Sequence, residues 1–349
     1  MARPLRVERP AAWYHVTGRG LERRPIFRDD LDRNRWMALV AEAVPMFGWV
    51  VHGYTLMDNH YHLILQILET NLSRGMQWFQ TSYSMGFNRR HNRVGPLVQG
   101  RFGAILVDPI GWGLELSRYV HLNPVRTARM GLDKRARKAD RLGIGGKPDA
   151  EQVRERLQRL RHYPWSSYRA YAGLAKRPQW LTCNVVLEMV GRGTLRDRQQ
   201  AYTKYVEGAV REGVEESLWE HLEGRLILGS RHFIEEVSKQ LRGSDREQPQ
   251  RRALARRPKW EEVVKAVERV RGETWPRFRD RYGDRGRDLA LYFGRKAAGL
   301  GLRELGMVAG GLDYATVSVA IKRFERRMTQ DKNLRKIATS VAQLLNVET

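Results

Sequence analysis

The spacing of apolar and polar positions changes several times along the chain, and each change predicts a new element. "AWYHVTGRG" (12–20) is a β-branched and aromatic run closed by glycines, so it reads as a strand. "DDLDRNRWMALVAEAVPMFG" (29–48) then puts acidic residues before apolar ones at helical spacing. "WVVHGYTLM" (49–57) and "HYHLILQ" (60–66) are two β-rich runs separated by Asp58 and Asn59, the pattern of an antiparallel hairpin. Helical spacing returns in "NLSRGMQWFQTSYSMGFNRRH" (71–91), with Asn71 as a candidate cap. "PLVQGRFGAILVD" (96–108) reads as a strand pair or one bent strand, and "LELSRYVHLNPV" (114–125) as a helix stopped near Pro124. The order βαββαβα predicts an α+β fold, a ferredoxin-like split βαβ antiparallel sheet with helices on one face, over residues 1–130.

Beyond that unit the periodicity is helical. Residues 131–162 are charge-rich and contain the loop "GIGGKPDA", so 131–242 is read as a basic excursion followed by a helical extension, with "YPWSSYRAYAG" (163–173) supplying aromatic packing. Residues 243–259 lack apolar periodicity and read as a linker. Residues 260–349 are helical throughout with a break at Gly310 and Gly311, which predicts an all-α carboxy-terminal domain.

Composition narrows the function. The chain has 349 residues, with 63 Lys+Arg against 39 Asp+Glu and a formal charge of +24, which points to a polyanionic partner, nucleic acid first. One cysteine, Cys183, excludes an internal disulfide and a Cys-rich zinc site, and fits a reducing, cytoplasmic setting. No apolar run reaches the ~18 residues of a membrane span. The amino terminus lacks the apolar core of a signal peptide.

Among nine histidines, His60 and His62 stand one residue apart inside a strand, so both imidazoles project from one face and together can chelate a metal. A polar sheet face is the alternative. Tyr119 and Asn123 are one helical turn apart, so phenol and carboxamide can face one site. Packing of the tyrosine and C-capping by the asparagine are the plain readings of those two. A tyrosine with a pKa near ~10 is a poor nucleophile at neutral pH, and a cation that polarises a phosphate makes its attack feasible.

The set "YHVTGRG", "RRPIFRDDLDRNRW", "MDNHYHLIL", "RFGAIL", "YVHLNPVRTARM" and "YPWSSYRAYAG" resembles the REP-associated tyrosine transposases, single-tyrosine members of the HUH (His, hydrophobic, His) nucleases, over about residues 10–240. The resemblance implies that His60 and His62 hold Mg²⁺ or Mn²⁺, that Asn123 is the third protein ligand, and that Tyr119 cleaves single-stranded DNA to leave a 5′-phosphotyrosine and a free 3′-hydroxyl. It also implies hairpin DNA from repetitive palindromes as a partner. Arg19 and Arg101, each beside a strand, are candidates to meet phosphates. Monomer and homodimer both remain open. A rolling-circle initiator shares the chemistry but differs in motif order.

Residues 286–327 resemble, independently, the DNA-binding domain of the replication initiator DnaA. Their own pattern agrees with a helix-turn-helix: one amphipathic helix, a second from about Leu302, a glycine turn, and a third opening at Asp313. The resemblance implies duplex DNA as a partner, with Arg287 in a minor groove and Asp313, Ala315 and Thr316 facing the DNA. Lys322 belongs to the basic cluster around it. Leu312 and Tyr314 stand where that family has arginine and histidine, so its binding sequence does not carry over. No GxxxxGK[ST] loop is present. Two functions follow from the whole: a metal-dependent tyrosine transposase, or a sequence-specific regulator with a vestigial nuclease site.

Overall fold

The structure, a computed structural model, describes residues 7–132, 148–212, 218–223, 226–240, 258–345 and 347. Residues 133–147 of the basic excursion and 243–257 of the linker lie outside the described residues. The fold is α+β and falls into two compact units. The first comprises Arg6–Val107 and Gly113–Glu220, and the second comprises His221–Thr349 with Asp108–Trp112.

In the first unit, β1 (Trp13–Arg19), β2 (Trp49–Met57), β3 (His60–Ile67) and β4 (Gly103–Val107) form an antiparallel sheet in the order β2-β3-β1-β4. That order is the ferredoxin-like one expected. Asp58 and Asn59 make the β2–β3 turn, and the carbonyl of Asp58 accepts from the amides of Ile26 and Phe27, which ties the turn to the chain after β1. Of the stretch 96–108 only β4 is a strand. Val98 makes an isolated bridge to Gly20.

Register and alternation sort the side chains onto two faces. One carries Tyr14, Val16, Tyr61, Leu63 and Leu65, all nearly fully buried. Helices α1 (Asp30–Phe47) and α2 (Leu72–Arg90) cover this face, with the Trp36 ring 5.2 Å from both Tyr61 and Phe79. Helix α1 buries Trp36, Leu39, Val40 and Ala43 on one stripe, starts at Asp29, whose carboxylate accepts from the Asp32 amide, and ends at left-handed Gly48. Asn71 precedes α2 without a side-chain cap, because its amide donates to the Phe47 carbonyl and joins the two helices.

The other face carries Trp13, His15, Thr17, His60, His62 and Thr55. The expectation of helices on one face fails here: α3 (Pro109–His121) is held to this side by a bond from the Thr55 hydroxyl to the Val120 carbonyl, 2.8 Å. Of the residues read as a separate extension, those described up to Glu220 join the same compact unit, and those from His221 belong to the second. The former include α4 (Ala150–His162), α5 (Tyr168–Tyr171), α6 (Asn184–Val190) and α7 (Leu195–Glu212). The aromatic stretch after α4 also covers the open edge of β2: the Leu56 amide donates to the Trp165 carbonyl, and the Ser167 amide to that of Tyr54. An edge closed in this way offers no row of free backbone groups.

The second unit contains the two-residue strands β5 (Leu222–Glu223) and β6 (Ile227–Leu228), then α8 (Arg231–Gln240), α9 (Trp260–Arg271), α10 (Trp275–Phe278), α11 (Arg285–Lys296), α12 (Leu302–Val308), α13 (Tyr314–Gln330) and α14 (Lys332–Leu345). Val267, Phe278, Leu291, Leu305, Val317, Phe324 and Val341 meet in its core. The break predicted at Gly310 and Gly311 separates α12 from α13, and both glycines have positive φ, 108° and 83°. No helix of the described residues is long and apolar enough to cross a membrane.

Candidate active site

Strand β3 and helix α3 bring together the residues that the sequence singled out. The rings of His60 and His62 lie 5.1 Å apart, and the Tyr119 ring lies 5.6 Å from His62, edge-on to it. All three belong to one chain. His62 is buried, whereas His60 and Tyr119 are partly exposed, so the cluster opens to solvent between the strand end and the helix. Arg19, opposite His60 across the β1–β3 ladder, is exposed at the same end of the sheet. Arg101 is exposed in the loop before β4.

Two features keep the imidazoles fit for ligation. Burial, with the Arg19 charge second, holds His60 down to about 4. Burial also holds His62 well below the ordinary histidine range, with His15 and His60 adding to it. Both rings are therefore neutral at physiological pH, the form that binds a metal. The second feature is tautomeric. Asn59 donates its amide N–H to the Arg23 carbonyl, 3.0 Å, so its Oδ1 faces His60 Nδ1 at 2.7 Å as an acceptor. The His60 proton then sits on Nδ1, which leaves the Nε2 lone pair free.

Asn123 is one turn beyond Tyr119, as expected. Its Nδ2 donates to the carbonyls of Tyr119 and Val120, at 2.9 and 3.2 Å, which closes the end of α3. The capping reading thus accounts for its amide nitrogen.

Three residues without an assigned role complete the site. His15 on β1 stands between β3 and β4, with its Nε2 2.9 Å from His62 Nδ1 and its ring 5.8 Å from that of Tyr119. Trp219 stacks on His15 at 5.1 Å and meets Tyr119 at 4.8 Å. Arg126 lays its guanidinium over the Tyr119 ring at 4.7 Å. Alternation along "WYHVTGR" already put His15 on one face with Thr17 and Arg19, but only strand order makes it a neighbour of His62. Nothing local marks Trp219.

Tyr119 is positioned from behind by a buried network. His121, two residues on, bonds through Nδ1 to the Tyr202 hydroxyl and through Nε2 to the Ser167 hydroxyl, both at 2.6 Å. Tyr202 in turn donates to Ser117 on α3, 2.9 Å. Burial pushes His121 down to about 3, so it stays neutral there.

In the second unit the site expectations divide. Ala315 and Asp313 are exposed at the start of α13, but the Asp313 carboxylate accepts from the Thr316 amide and hydroxyl, so those two residues cap the helix. Lys322 lies further along α13, partly exposed. Arg287 is 4% exposed: the start of α11 is packed inward, and its guanidinium does not stand on the surface as the resemblance implied. Arg285, next to it, is exposed and pairs with Asp331 at 3.5 Å.

The ferredoxin-like sheet thus carries a His-x-His pair that faces a helix-borne tyrosine. Residues 9–103 match the family described as "Transposase IS200 like". The match includes both histidines and ends before Tyr119. One solved structure similar to the chain is described as "Structure of the REP associates tyrosine transposase bound to a REP hairpin", with 12% identity, 53% of this chain and 93% of that chain covered, and a TM-score of 0.35. No curated protein matches the chain.

Proposed function

We propose that the first unit is a single-strand DNA transposase or endonuclease that cleaves and rejoins DNA through Tyr119, with Mg²⁺ or Mn²⁺ held by His60 and His62. The observation that carries this reading is the convergence of two neutral imidazoles and one solvent-reachable phenol within a single chain. The IS200-like match over 9–103 supports the same class. His60 fits a divalent cation because its Nε2 lone pair is free, and Asn123 is the candidate third ligand through its carboxamide oxygen. Two imidazoles with one amide oxygen leave positions open for phosphate oxygens. Bound there, the cation polarises the phosphate and neutralises charge building on the leaving oxygen.

The chain's own residues do the rest. Arg126 holds the phenol ring face, and the His121 network holds the backbone behind it. Arg19 offers a guanidinium to the incoming strand. The Tyr119 Oη–P bond forms as the P–O3′ bond breaks, the phenol proton leaves to solvent, and the 3′-oxygen takes up a proton. A second 3′-hydroxyl reverses the step on a new strand, which conserves bond energy and needs no nucleotide. Because one chain supplies every part, a monomer suffices.

The second unit, on this reading, adds duplex binding. Ala315, Val319, Lys322 and Arg326 repeat at helical spacing on α13, and Val319 is 55% exposed, so they make an outward stripe that fits a major groove. The pattern resembles the DnaA domain in its helices but not in the surface placement of Arg287. The preferred substrate for the whole chain is hairpin DNA with a single-stranded flank. Incubating the full chain with a labelled oligonucleotide of that form and Mn²⁺ tests the proposal: cleavage that disappears in Tyr119→Phe supports it. Binding without cleavage would favour the regulator with a vestigial site.

A further inference from the structure

His60 and His62 are not held alike. His60 is oriented by an amide oxygen, which can only accept. His62 faces another histidine, whose Nε2 accepts in one tautomer and donates in the other. Only one arrangement leaves His62 Nε2 free to ligate: the proton sits on His62 Nδ1, His15 Nε2 accepts it, and the His15 proton is on Nδ1. In the opposite arrangement His62 carries its proton on Nε2 and cannot bind a cation there.

We infer that His15 is a positioning residue for the metal, which accepts the His62 Nδ1 proton and so turns the His62 Nε2 lone pair into the site. The inference rests on the proposed metal role of His60 and His62 and goes beyond it. Its support is geometric. The His15 ring is 3% exposed, meets His62 edge to edge in nearly the same plane, with centroids 5.1 Å apart and planes 7° from parallel, and stacks on Trp219 at 5.1 Å and 25°. Burial and the Trp219 ring restrict its rotation away from His62. His15 Nδ1 is buried with no hydrogen-bond partner among the described residues. That atom is left without a partner in both arrangements, as an N–H in the metal-ready one and as a lone pair in the blocked one, so the protein alone does not choose between them and a bound cation selects the metal-ready one. Outer partners of metal-bound histidines fix the tautomer in this way, and their loss typically weakens affinity by about 10–100-fold.

Mn²⁺ affinity of the full chain, read by the EPR signal of free Mn²⁺, tests this without reference to activity. His15→Leu removes the acceptor and is expected to bind Mn²⁺ at least ~10-fold more weakly. His15→Gln places an amide oxygen where Nε2 was, accepts without needing a proton elsewhere, and is expected to stay within about threefold of the parent chain. Retention of full affinity by His15→Leu overturns the inference, as does equal loss in both variants, which would mean that only packing is at stake. His60→Ala calibrates the site: if it loses Mn²⁺ while His15→Leu does not, the metal site stands and the role of His15 falls. Absence of Mn²⁺ binding in the parent chain removes the metal reading and this inference together. Should His15→Leu fail to fold by thermal melting, long-range ¹H–¹⁵N spectra of the imidazoles in the Zn²⁺-loaded parent chain decide. A proton on His62 Nδ1 with none on His15 Nε2 supports the inference, and the reverse overturns it.

Discussion

Replacing His121 with leucine tests whether the buried network behind the tyrosine helix holds Tyr119 in place. Leucine fills a similar volume, so little cavity opens and the loss is polar. Two side-chain hydrogen bonds disappear, those to Tyr202 and Ser167. Each such bond contributes about 0.5–1.5 kcal/mol net, and a buried partner left with nothing costs more. Neither partner is left with nothing here. The Tyr202 hydroxyl keeps Ser117, and the Ser167 hydroxyl keeps the carbonyl of Tyr54 while accepting from the Tyr54 amide. The expected destabilisation is therefore ~2 kcal/mol, near the middle of the range for two bonds. Urea unfolding followed by tryptophan fluorescence measures it, with the midpoint falling and the slope unchanged. The bond from Thr55 to the Val120 carbonyl remains, so α3 stays docked but its last turn loosens, and oligonucleotide cleavage should fall in the folded variant. A change under about 0.5 kcal/mol, within the range of an ordinary surface substitution, would refute the idea that this network anchors the helix.

Gly18→Ala should destabilise the first unit by about 1–3 kcal/mol, because the added Cβ would lie 2.5 Å from Tyr61 Cε1 in a filled core; an unchanged melting midpoint would contradict that. Hydrogen bonding to Arg90 holds Asp29 down to about 2 from the ordinary 3.8, so its contribution is present above 3.8 and lost as pH falls through about 2. Asp29→Asn should accordingly flatten the acid limb of the stability profile in that window, and an acid limb identical to that of the parent chain would contradict the pairing. Asp313→Ala should cost the second unit about 0.5–2 kcal/mol through loss of the α13 cap, read from its urea transition, and Asp313→Ser should restore most of it; loss of duplex binding with no stability change would instead make Asp313 a DNA contact.

Much of the architecture was legible in the sequence because its signals are local. Period-2 runs gave four strands, and alternation alone placed His60 and His62 on one face. Their partners were less visible. His15 touches His62 only because β1 lies between β3 and β4, a non-local fact of strand order. Trp219 comes about 100 residues after Tyr119 in the chain and follows no motif. The second helical layer was hidden for a similar reason, since the helices after α3 have polar outer faces and read as an independent extension. Burial of Arg287 shows the limit of carrying residues over from a resemblance: the helix forms where expected, while its packing turns the guanidinium inward.

The account stands on Tyr119 being the atom source of the covalent bond to DNA. Mass spectrometry of peptides from the Mn²⁺ reaction with a hairpin oligonucleotide reads this directly, because the chain has 13 tyrosines and only one should be modified. A nucleotide attached through a 5′-phosphate to the peptide containing Tyr119 is the predicted result. Attachment to any other tyrosine, or cleaved DNA with no modified peptide at all, would contradict the account.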